Sequence, residues 1–329
     1  MSRILVLNHS EVEALLPVGE CISVMSEALA DLARGNVYQP LRMIITPPGA
    51  DGDMALMPSY RSGERPAYGV KTVCLFPGNP AKGLDSHQGS VMLFSGETGE
   101  LMALMNASAI TAIRTAAVSG VATQLLAQDD AGELAMIGTG VQARAHLEAM
   151  ACARPIKRAR VASRSFEHAL SFAAEFRSRY SFPIEAVESV ESAVRGADLI
   201  VTATTSREPI LSREWVSAGA HLNVVGSSIP TTREIDSATM AASSLFVDRR
   251  ESTINEGGDY LFALREGAIG PDHIKAEIGE LLTGAKTGRS STDEITVFKS
   301  LGLAIEDLAS ADYLYRKAKQ EQKGTWVEF

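Results

Sequence analysis

The order of apolar and polar positions predicts an α+β arrangement in the first third of the chain. Apolar residues at helical spacing indicate a helix over 18–34, and a capping-box pattern at Ser10 and Glu13 indicates a shorter helix before it. The next segments are short, apolar or alternating, and bounded by Pro, Gly and Asp, which is typical of strands. These predicted strands are 41–46, 54–60, 68–76, 89–94 and 101–105. This part therefore predicts a domain without β-α-β alternation.

A helix rich in small residues is predicted over 107–128, and the pattern changes beyond it. Short apolar runs now alternate with helical segments, which predicts a parallel sheet with right-handed crossovers. The predicted strands are 134–137, 158–162, 184–187, 198–202, 221–225, 244–247 and 295–298. The predicted helices are 141–152, 166–180, 189–195, 251–267 and 277–283.

A last amphipathic helix is predicted over 303–320. It comes too late in the chain to form the core of the parallel sheet, so we expect it to pack back on the first domain. The predicted fold class is therefore α/β, with a Rossmann-type domain over 129–303 inserted in a discontinuous α+β domain made of 1–128 and 304–329.

The first strand of the alternating part leads into a glycine-rich turn. Gly138, Gly140 and Ala143 form the G-x-G-x-x-A pattern, in which they would allow a tight turn, close approach of a pyrophosphate, and close helix–strand packing. The phosphates would accept hydrogen bonds from the N–H groups at the helix N-terminus. A chance turn is the alternative, but the position between a strand and a helix favours dinucleotide binding. The predicted contacts in this loop are Gly138, Thr139, Gly140, Val141 and Gln142.

The end of the second alternating strand distinguishes between the two nicotinamide dinucleotides. NAD proteins place an acid there for the ribose hydroxyls, whereas NADP proteins place an arginine near the 2′-phosphate. Here the strand ends in Ser163, Arg164 and Ser165, without an acid. A guanidinium and two hydroxyls match a phosphate dianion, although a solvated arginine is the alternative. The sequence favours NADP(H), with NAD(H) possible.

Ligands of open parallel sheets bind beyond the carboxyl ends of the strands. Residues immediately after the predicted strands 198–202 and 221–225 are therefore candidate dinucleotide contacts. They are Ala203, Thr204 and Gly226.

Three cations stand inside apolar segments: Arg42, Lys71 and Arg114. Such a cation is rarely buried without a partner. Each one singly could lie on a solvated sheet face or pair with an internal acid. Together they indicate a pocket for a carboxylate, with arginine as a bidentate partner and lysine as a point charge.

His87 lies in a predicted loop beside hydroxyl and amide groups. It could donate a proton or bind the cofactor, and a structural or solvent-facing role is the alternative. The other histidines lack the spacing of metal ligands, so no metal is predicted.

The bulk composition narrows the class of protein. The 329 residues are 45% hydrophobic and 22% charged, which is ordinary for a soluble protein of two domains. A net charge of −9 gives no electrostatic support for nucleic-acid binding. Three scattered cysteines fit a reducing compartment. The N-terminal apolar segment is too short for a signal peptide, and no apolar run reaches the ~20 residues of a membrane span. We expect a cytoplasmic protein without a membrane partner.

Four segments together resemble the ornithine cyclodeaminase/mu-crystallin family, and the resemblance runs nearly end to end. They are 110–117, 137–144, 226–235 and 296–307. The resemblance implies that the first domain and the last helix form a substrate and dimerisation domain. It implies that Arg42, Lys71 and Arg114 hold the substrate carboxylate. It also places Ser86, which precedes His87 in a Ser-His-Gln match to mu-crystallin, and Ser300 among the cofactor contacts.

The family is catalytically mixed, and Ser228 distinguishes between its branches. Cyclodeaminases have a catalytic Asp at this position, whereas mu-crystallin has a serine and reduces cyclic ketimines with NADPH. A neutral hydroxyl cannot replace a carboxylate as general base, because its pKa is far from the working range. Ser163, Arg164 and Ser165 also resemble the corresponding Asn-Arg-Thr of mu-crystallin, whereas cyclodeaminases keep an Asp for NAD.

The sequence thus predicts a homodimeric NADPH-dependent reductase of small cyclic 2-imino acids. The expected substrates are Δ1-pyrroline-2-carboxylate and Δ1-piperideine-2-carboxylate, which would give L-proline and L-pipecolate. Ser228 would hold the imine nitrogen or the nicotinamide, and His87 would relay protons. The alternatives are an ornithine or lysine cyclodeaminase with bound NAD, an opine- or alanine-type dehydrogenase, and a non-catalytic protein that binds NADPH or a small ligand.

Overall fold

The computed structural model describes residues 3–329, apart from the side chain of Pro80. It divides into two compact units: residues up to Thr115 together with Gly302–Phe329, and Ala116–Leu301. The boundary after Leu301 lies two residues before the predicted one, whereas the boundary after Thr115 lies inside a helix and 13 residues before the predicted one. The assignment of the two predicted domains to substrate and dinucleotide stays a prediction.

The first unit is a mixed sheet with helices on one face. Its strands are β1 (Arg3–Leu7), β2 (Val37–Tyr38), β3 (Met43–Ile45), β4 (Asp53–Arg61), β5 (Ala67–Leu75), β6 (His87–Ser95), β7 (Leu101–Asn106) and β16 (Thr325–Glu328). Its helices are α1 (His9–Leu15), α2 (Val18–Ala33), the start of α3 (Ala107–Leu126), and α11 (Ala304–Glu321). The strand order is β16-β1-β7-β6-β5-β4-β2, with β3 paired to β4. The last helix, α11, packs on β4–β7 and on α2, as its amphipathic pattern predicts.

The second unit is a parallel sheet with the order β10-β9-β8-β11-β12-β15-β13-β14. Its strands are β8 (Glu133–Ile137), β9 (Arg158–Ala162), β10 (Ile184–Ala186), β11 (Leu199–Thr202), β12 (His221–Val224), β13 (Ser244–Val247), β14 (Ile274–Glu277) and β15 (Thr296–Lys299). Its helices after α3 are α4 (Val141–Ala153), α5 (Phe166–Phe176), α6 (Val190–Val194), α7 (Ser237–Ala241), α8 (Arg250–Glu256), α9 (Gly258–Arg265) and α10 (Ile278–Leu282). The central strands β11 and β12 are buried throughout, as expected of parallel strands covered on both faces. The predicted α/β fold class is confirmed.

Local structure departs from the prediction in a few places. The capping box of α1 is formed by Asn8 and Glu11 rather than by Ser10 and Glu13: Asn8 Oδ1 accepts from the Glu11 N–H at 3.0 Å, and Glu11 Oε2 accepts from the Asn8 N–H at 2.9 Å. The predicted helix 251–267 is broken into α8 and α9 at Gly257. The short strands β1, β2, β14 and β16 are not predicted by the pattern.

Helix α3 meets the length and apolarity expected of a membrane span, contrary to the sequence expectation that no segment does. Its most apolar 18-residue window is 78% buried inside the protein. A core helix of a soluble protein passes the same test, and helix α3 also carries the charged Arg114.

Two arginines bind carbonyls at the C-terminal end of α3. Arg154 donates to Gln124 and Ala127 at 3.0 and 2.9 Å, and Arg289 donates to Leu126 at 2.7 Å.

Two buried histidines make the stability of the protein depend on pH. His146 lies between the Gln142 carbonyl and the Ser119 hydroxyl, and burial lowers its pKa to about 4. His221 binds Thr296, and burial, with the nearby charge of Arg289, lowers its pKa to about 3. Both stay neutral in the folded protein, whereas the unfolded chain binds a proton at each below about pH 6.5. Their contribution to stability is therefore present above pH 6.5 and is lost as the pH falls.

We expect each buried histidine to lower the free energy of unfolding by about 2 kcal/mol as the pH falls from 6.5 to 5. Urea unfolding at pH 7 and pH 5 would measure this loss. His146→Gln and His221→Gln should each reduce the difference between the two pH values, because glutamine does not bind a proton in this range. The same change at the exposed His168 is the control. An equal pH dependence in all three variants would contradict this account.

Candidate functional site

The turn after β8 requires glycine at Gly138. Its φ of 115° lies in a region that side chains disfavour, and a Cβ there would lie 2.4 Å from the Ala203 carbonyl oxygen. The Gly138 N–H donates to the Ala162 carbonyl at 2.9 Å. The turn thus brings the ends of β8, β9 and β11 together, as the glycine pattern predicts.

The start of α4 leaves room for a ligand. Gly140, which has no side chain, occupies the N-cap in an extended conformation, and a Cβ placed there would touch no atom of residues 3–329. The next residue, Val141, has an apolar side chain, and the residue is 60% exposed. Backbone N–H groups at the first turn of a 13-residue helix can bind a phosphate, and a bare glycine allows close approach. Gln142, the remaining predicted contact, is half-buried in the same turn.

The end of β9 presents hydroxyls and a guanidinium. Ser163 Oγ lies 3.4 Å from Thr139 Oγ1, and Arg164 is exposed. Ser165, the N-cap of α5, donates to Glu167 in the first turn of that helix, which lowers the pKa of this carboxyl. Ser163 and Arg164 are therefore better placed than Ser165 to bind a further anion. Glu167 is an acid near this edge that the local sequence pattern does not single out.

The loops after β11 and β12 lie against each other. Ala203 continues the sheet by donating to the Ile137 carbonyl at 2.9 Å. A Cβ on Gly226 would lie 2.1 Å from the Thr204 carbonyl oxygen, so only glycine allows this approach. Thr204 and Gly226 both donate to the buried carboxylate of Glu234. Ser228 follows in the second loop and is half-buried, and Ser300, after β15, is buried.

Within the first unit, Lys71 and Arg114 form a buried cluster with two acids from the start of α11. Asp307 bridges them: its Oδ2 lies 2.8 Å from Lys71 Nζ, and its Oδ1 lies 3.1 Å from Arg114 Nε. Glu306 Oε2 lies 2.5 Å from Arg114 Nη1. All four side chains are at most 5% exposed. The alternative of an internal acid partner, which the sequence left open for each cation, therefore holds for Lys71 and Arg114.

Arg42 adds a third cation from the segment before β3. Its Nη2 donates to the Gly302 carbonyl at 3.1 Å. Gly302 has a φ of 80°, and a Cβ there would lie 2.5 Å from Arg114 Nη1. Glycine at this position therefore lets the chain pass close to the guanidinium just before α11 begins.

The charged groups of this cluster lie close enough to influence one another. Lys71 and Arg114 face the carboxylates of Glu306 and Asp307, and Arg42 contributes a further positive charge. Burial and the neighbouring Arg114 lower the pKa of Lys71 to about 8, while Asp307 raises it. Guanidinium and ammonium groups are the partners that a carboxylate ligand needs.

His87 and Ser86 lie at the start of β6. His87 begins the strand instead of lying in a loop, and its Nδ1 is 3.0 Å from Ser86 Oγ. Although the residue is exposed overall, partial burial of its ring, followed by the charge of Lys71, lowers its pKa. The ring is therefore neutral near pH 7 and better suited to accept or relay a proton than to supply one.

A comparison with known families supports the resemblance found in the sequence. The model of the ornithine cyclodeaminase/mu-crystallin family matches residues 3–322. The chain belongs to this family. Among the described residues, no group of three or more His, Cys, Asp or Glu side chains is arranged to hold a metal.

Relatives of the family are similar to this chain over most of its length. The solved structure of Δ1-pyrroline-2-carboxylate reductase from Thermococcus litoralis, in complex with NADH and L-proline, is 41% identical, with a TM-score of 0.94 over 98% of this chain and 100% of that chain. An archaeal alanine dehydrogenase dimer with bound NAD is 33% identical, with a TM-score of 0.93 over 100% of both chains. Ketimine reductase mu-crystallin from Mus musculus is 40% identical over 89% of this chain and 90% of that protein.

Several charged residues of these sites were not predicted. Glu306 and Asp307 lie within a family segment and interrupt an apolar helix start, which was the available indication that they are buried. Glu234, Asp259 and Lys299 are also buried, but nothing in the local pattern pairs them. Acids that interrupt apolar segments could have been matched to the unexplained cations.

Proposed function

We propose that this protein is an NADPH-dependent reductase of small cyclic 2-imino acids. The observation that carries the proposal is the cluster of Arg42, Lys71 and Arg114, in which two buried cations lie beside the half-buried guanidinium of Arg42. The similarity to the Thermococcus litoralis reductase, whose structure holds NADH and L-proline, and to ketimine reductase mu-crystallin supports the same substrate class. The expected products from Δ1-pyrroline-2-carboxylate and Δ1-piperideine-2-carboxylate are L-proline and L-pipecolate.

The residues of the chain would act mainly by binding and orienting the substrate. A bound nicotinamide would supply the hydride that the C=N carbon accepts. Arg42, Lys71 and Arg114 would hold the carboxylate, and their fixed positions would limit the orientations of the attached ring. A protonated imine already carries the proton of the product amine, so no strong acid is needed from the protein. Ser228 would hold the nitrogen or the nicotinamide, and His87 or water would relay protons.

The dinucleotide would bind along the carboxyl edge of the parallel sheet. The open N-terminus of α4 and the bare Gly140 fit a pyrophosphate, and the other predicted contacts of the second unit lie just after β9, β11, β12 and β15. The preference for NADPH rests on Arg164 and Ser163, which offer donors at the end of β9.

The first test is NADPH oxidation with Δ1-pyrroline-2-carboxylate and Δ1-piperideine-2-carboxylate, each repeated with NADH. Rapid turnover with NADPH is expected. Ammonia release from ornithine or lysine without imine reduction would replace the proposal with a cyclodeaminase. Turnover of pyruvate and ammonia alone would indicate an alanine dehydrogenase, in line with the archaeal relative. Nucleotide binding without any turnover would indicate a binding protein.

We also propose a homodimer formed through the open face of the first sheet. A row of apolar side chains crosses four neighbouring strands on the face opposite α11: Pro58, Val70, Met92 and Leu104. Their alternation with the buried residues of the same strands places them on that face. Exposed residues of β3 extend the apolar surface. Such a surface suits a second copy of the same chain, and an archaeal relative is a dimer.

Met92→Glu is expected to convert the dimer to a monomer, with a rise of at least about 100-fold in the dimer dissociation constant, because it would bury a charge in an apolar interface. Light scattering after size-exclusion chromatography measures the mass. Leu170→Glu, at an exposed leucine of α5 in the second unit, is the matched control. A wild-type monomer, or a dimer that tolerates Met92→Glu, would rule out this interface.

A reducing, cytoplasmic location is part of the proposal. The three cysteines are free thiols, and Cys21 is fully buried. Burial raises the pKa of Cys21 to about 12, which keeps it protonated and unreactive. Free thiols are the form expected in a reducing compartment. Labelling of intact and lysed cells with an impermeant thiol reagent at the exposed Cys152 would test the location.

A further inference from the structure

The carboxylate of Glu234 connects the two loops that follow β11 and β12. Its Oε1 accepts from the Thr204 N–H at 2.7 Å and from the Thr204 hydroxyl at 2.8 Å. Its Oε2 accepts from the Thr202 hydroxyl at 2.8 Å and from the Gly226 N–H at 2.7 Å. The residue is 0% exposed. One buried side chain thus satisfies donors on both loops that the sequence assigns to the dinucleotide.

A second buried acid fixes Glu234 in turn. Asp259, in the first turn of α9, accepts from the backbone N–H groups of Glu234 and Ile235 at 2.7 and 3.1 Å. Its Oδ2 also lies 3.1 Å from Lys299 Nζ, at the end of β15. Lys299 donates to the Val224 carbonyl, at the end of β12. The ends of β11, β12 and β15 are therefore tied together by one buried charged network.

This arrangement connects the two loops through a side chain as well as through their backbones. The pKa of Glu234 is raised overall, first by burial and then by the nearby Asp259. Lys299 and the hydrogen bonds from Thr204 act in the opposite direction. A fully buried carboxylate is unfavourable unless donors surround it, and here both oxygens are occupied. Close contact between Thr204 and Gly226 leaves no space for the loops to move nearer to each other.

We propose that Glu234 is a positioning residue for the dinucleotide, because it holds the loops after β11 and β12 in the conformation that the cofactor binds. The inference rests on the proposed function only in assuming that a nicotinamide dinucleotide binds at this edge of the sheet. Glu234 acts through Thr204 and Gly226 and does not itself touch the cofactor.

Glu234→Gln tests the proposal by direct binding of NADPH and NADH, followed by protein fluorescence in the absence of substrate. The amide keeps the shape of the side chain but points an NH2 group at two donors. We expect the dissociation constant to rise roughly 10-fold or more, since unsatisfied buried donors weaken the bound conformation. Faster amide hydrogen exchange at Thr204 and Gly226 in the free protein should accompany the change.

Asp198→Asn is the matched control. Asp198 also accepts two backbone N–H groups, from Gly132 and Glu133 at 2.9 and 3.0 Å, but it lies at the amino end of β11. This variant should lower the thermal midpoint without changing nucleotide affinity. If Glu234→Gln does not fold, Glu234→Asp replaces it, because the shorter carboxylate cannot reach both loops.

The outcomes separate this inference from the proposed function. Wild-type protein that binds neither nucleotide would overturn both. Wild-type binding with an unchanged dissociation constant in the folded Glu234 variant would overturn only the positioning role. A purely structural role predicts a loss of stability in both the Glu234 and the Asp198 variants, with affinity unchanged in both.

Discussion

Lys71→Met is expected to lower kcat/KM for Δ1-pyrroline-2-carboxylate by about 10²- to 10³-fold, because it removes a buried partner of the substrate carboxylate. Methionine is unbranched and nearly as long as lysine, but it carries no charge. Asp307 would remain paired with Arg114, at 3.1 Å, so the change would remove one positive charge beside the substrate carboxylate. In wild-type protein kcat/KM should also fall above about pH 8, where Lys71 loses its proton. The variant should not show this decrease.

The control for Lys71→Met is Arg61→Met, in the neighbouring strand β4. Arg61 pairs with Asp312 at 2.9 Å, and both side chains are 11% exposed. This variant also removes a cation from a largely buried ion pair of the same unit, but not from the carboxylate-binding cluster. Steady-state kinetics should therefore be close to wild type. An equal loss in the two variants would mean that Lys71 acts through stability, and normal kinetics in Lys71→Met would remove the cluster from the substrate site.

The parts of the site that the sequence predicts are those in which residues close in sequence act together. Gly138 and Gly140 flank one turn, so the order strand, glycine, helix was sufficient to predict an open helix N-terminus. The parallel sheet was predicted in the same way, because β-α-β alternation is a local pattern. The position of β15 between β12 and β13 was not predicted, since strand order depends on packing between distant segments.

The parts that the sequence does not predict are pairings across long sequence separations. Lys71 and Asp307 meet only because β5 and α11 pack together, and no periodicity connects positions so far apart. Glu234 follows a polar segment that resembles an ordinary loop, although the residue is completely buried. In each case the fold supplies the partner of a buried charge. A cation or acid in an apolar segment therefore indicates that a partner exists, but not which residue it is.

Arg164→Asp is expected to reverse the cofactor preference. The change removes a donor for the 2′-phosphate and places a negative charge beside it, so the ratio of kcat/KM for NADPH over NADH should fall by about 10²-fold or more. Part of the shift should be a gain with NADH, because an acid at this strand end can accept from the ribose hydroxyls. Initial rates with each cofactor at a fixed imine concentration measure the ratio.

The control for Arg164→Asp is Arg177→Asp, which makes the same change of charge at the other end of α5. Arg177 is exposed at the C-cap of that helix. If long-range charge alone set the preference, the two variants would shift the ratio alike, whereas direct binding by Arg164 predicts a shift in only one. A wild-type preference for NADH would point to Glu167 instead, the native acid in the first turn of α5, as the partner of the ribose. Glu167→Gln would then weaken NADH binding, and Arg164 would have no role in choosing the cofactor.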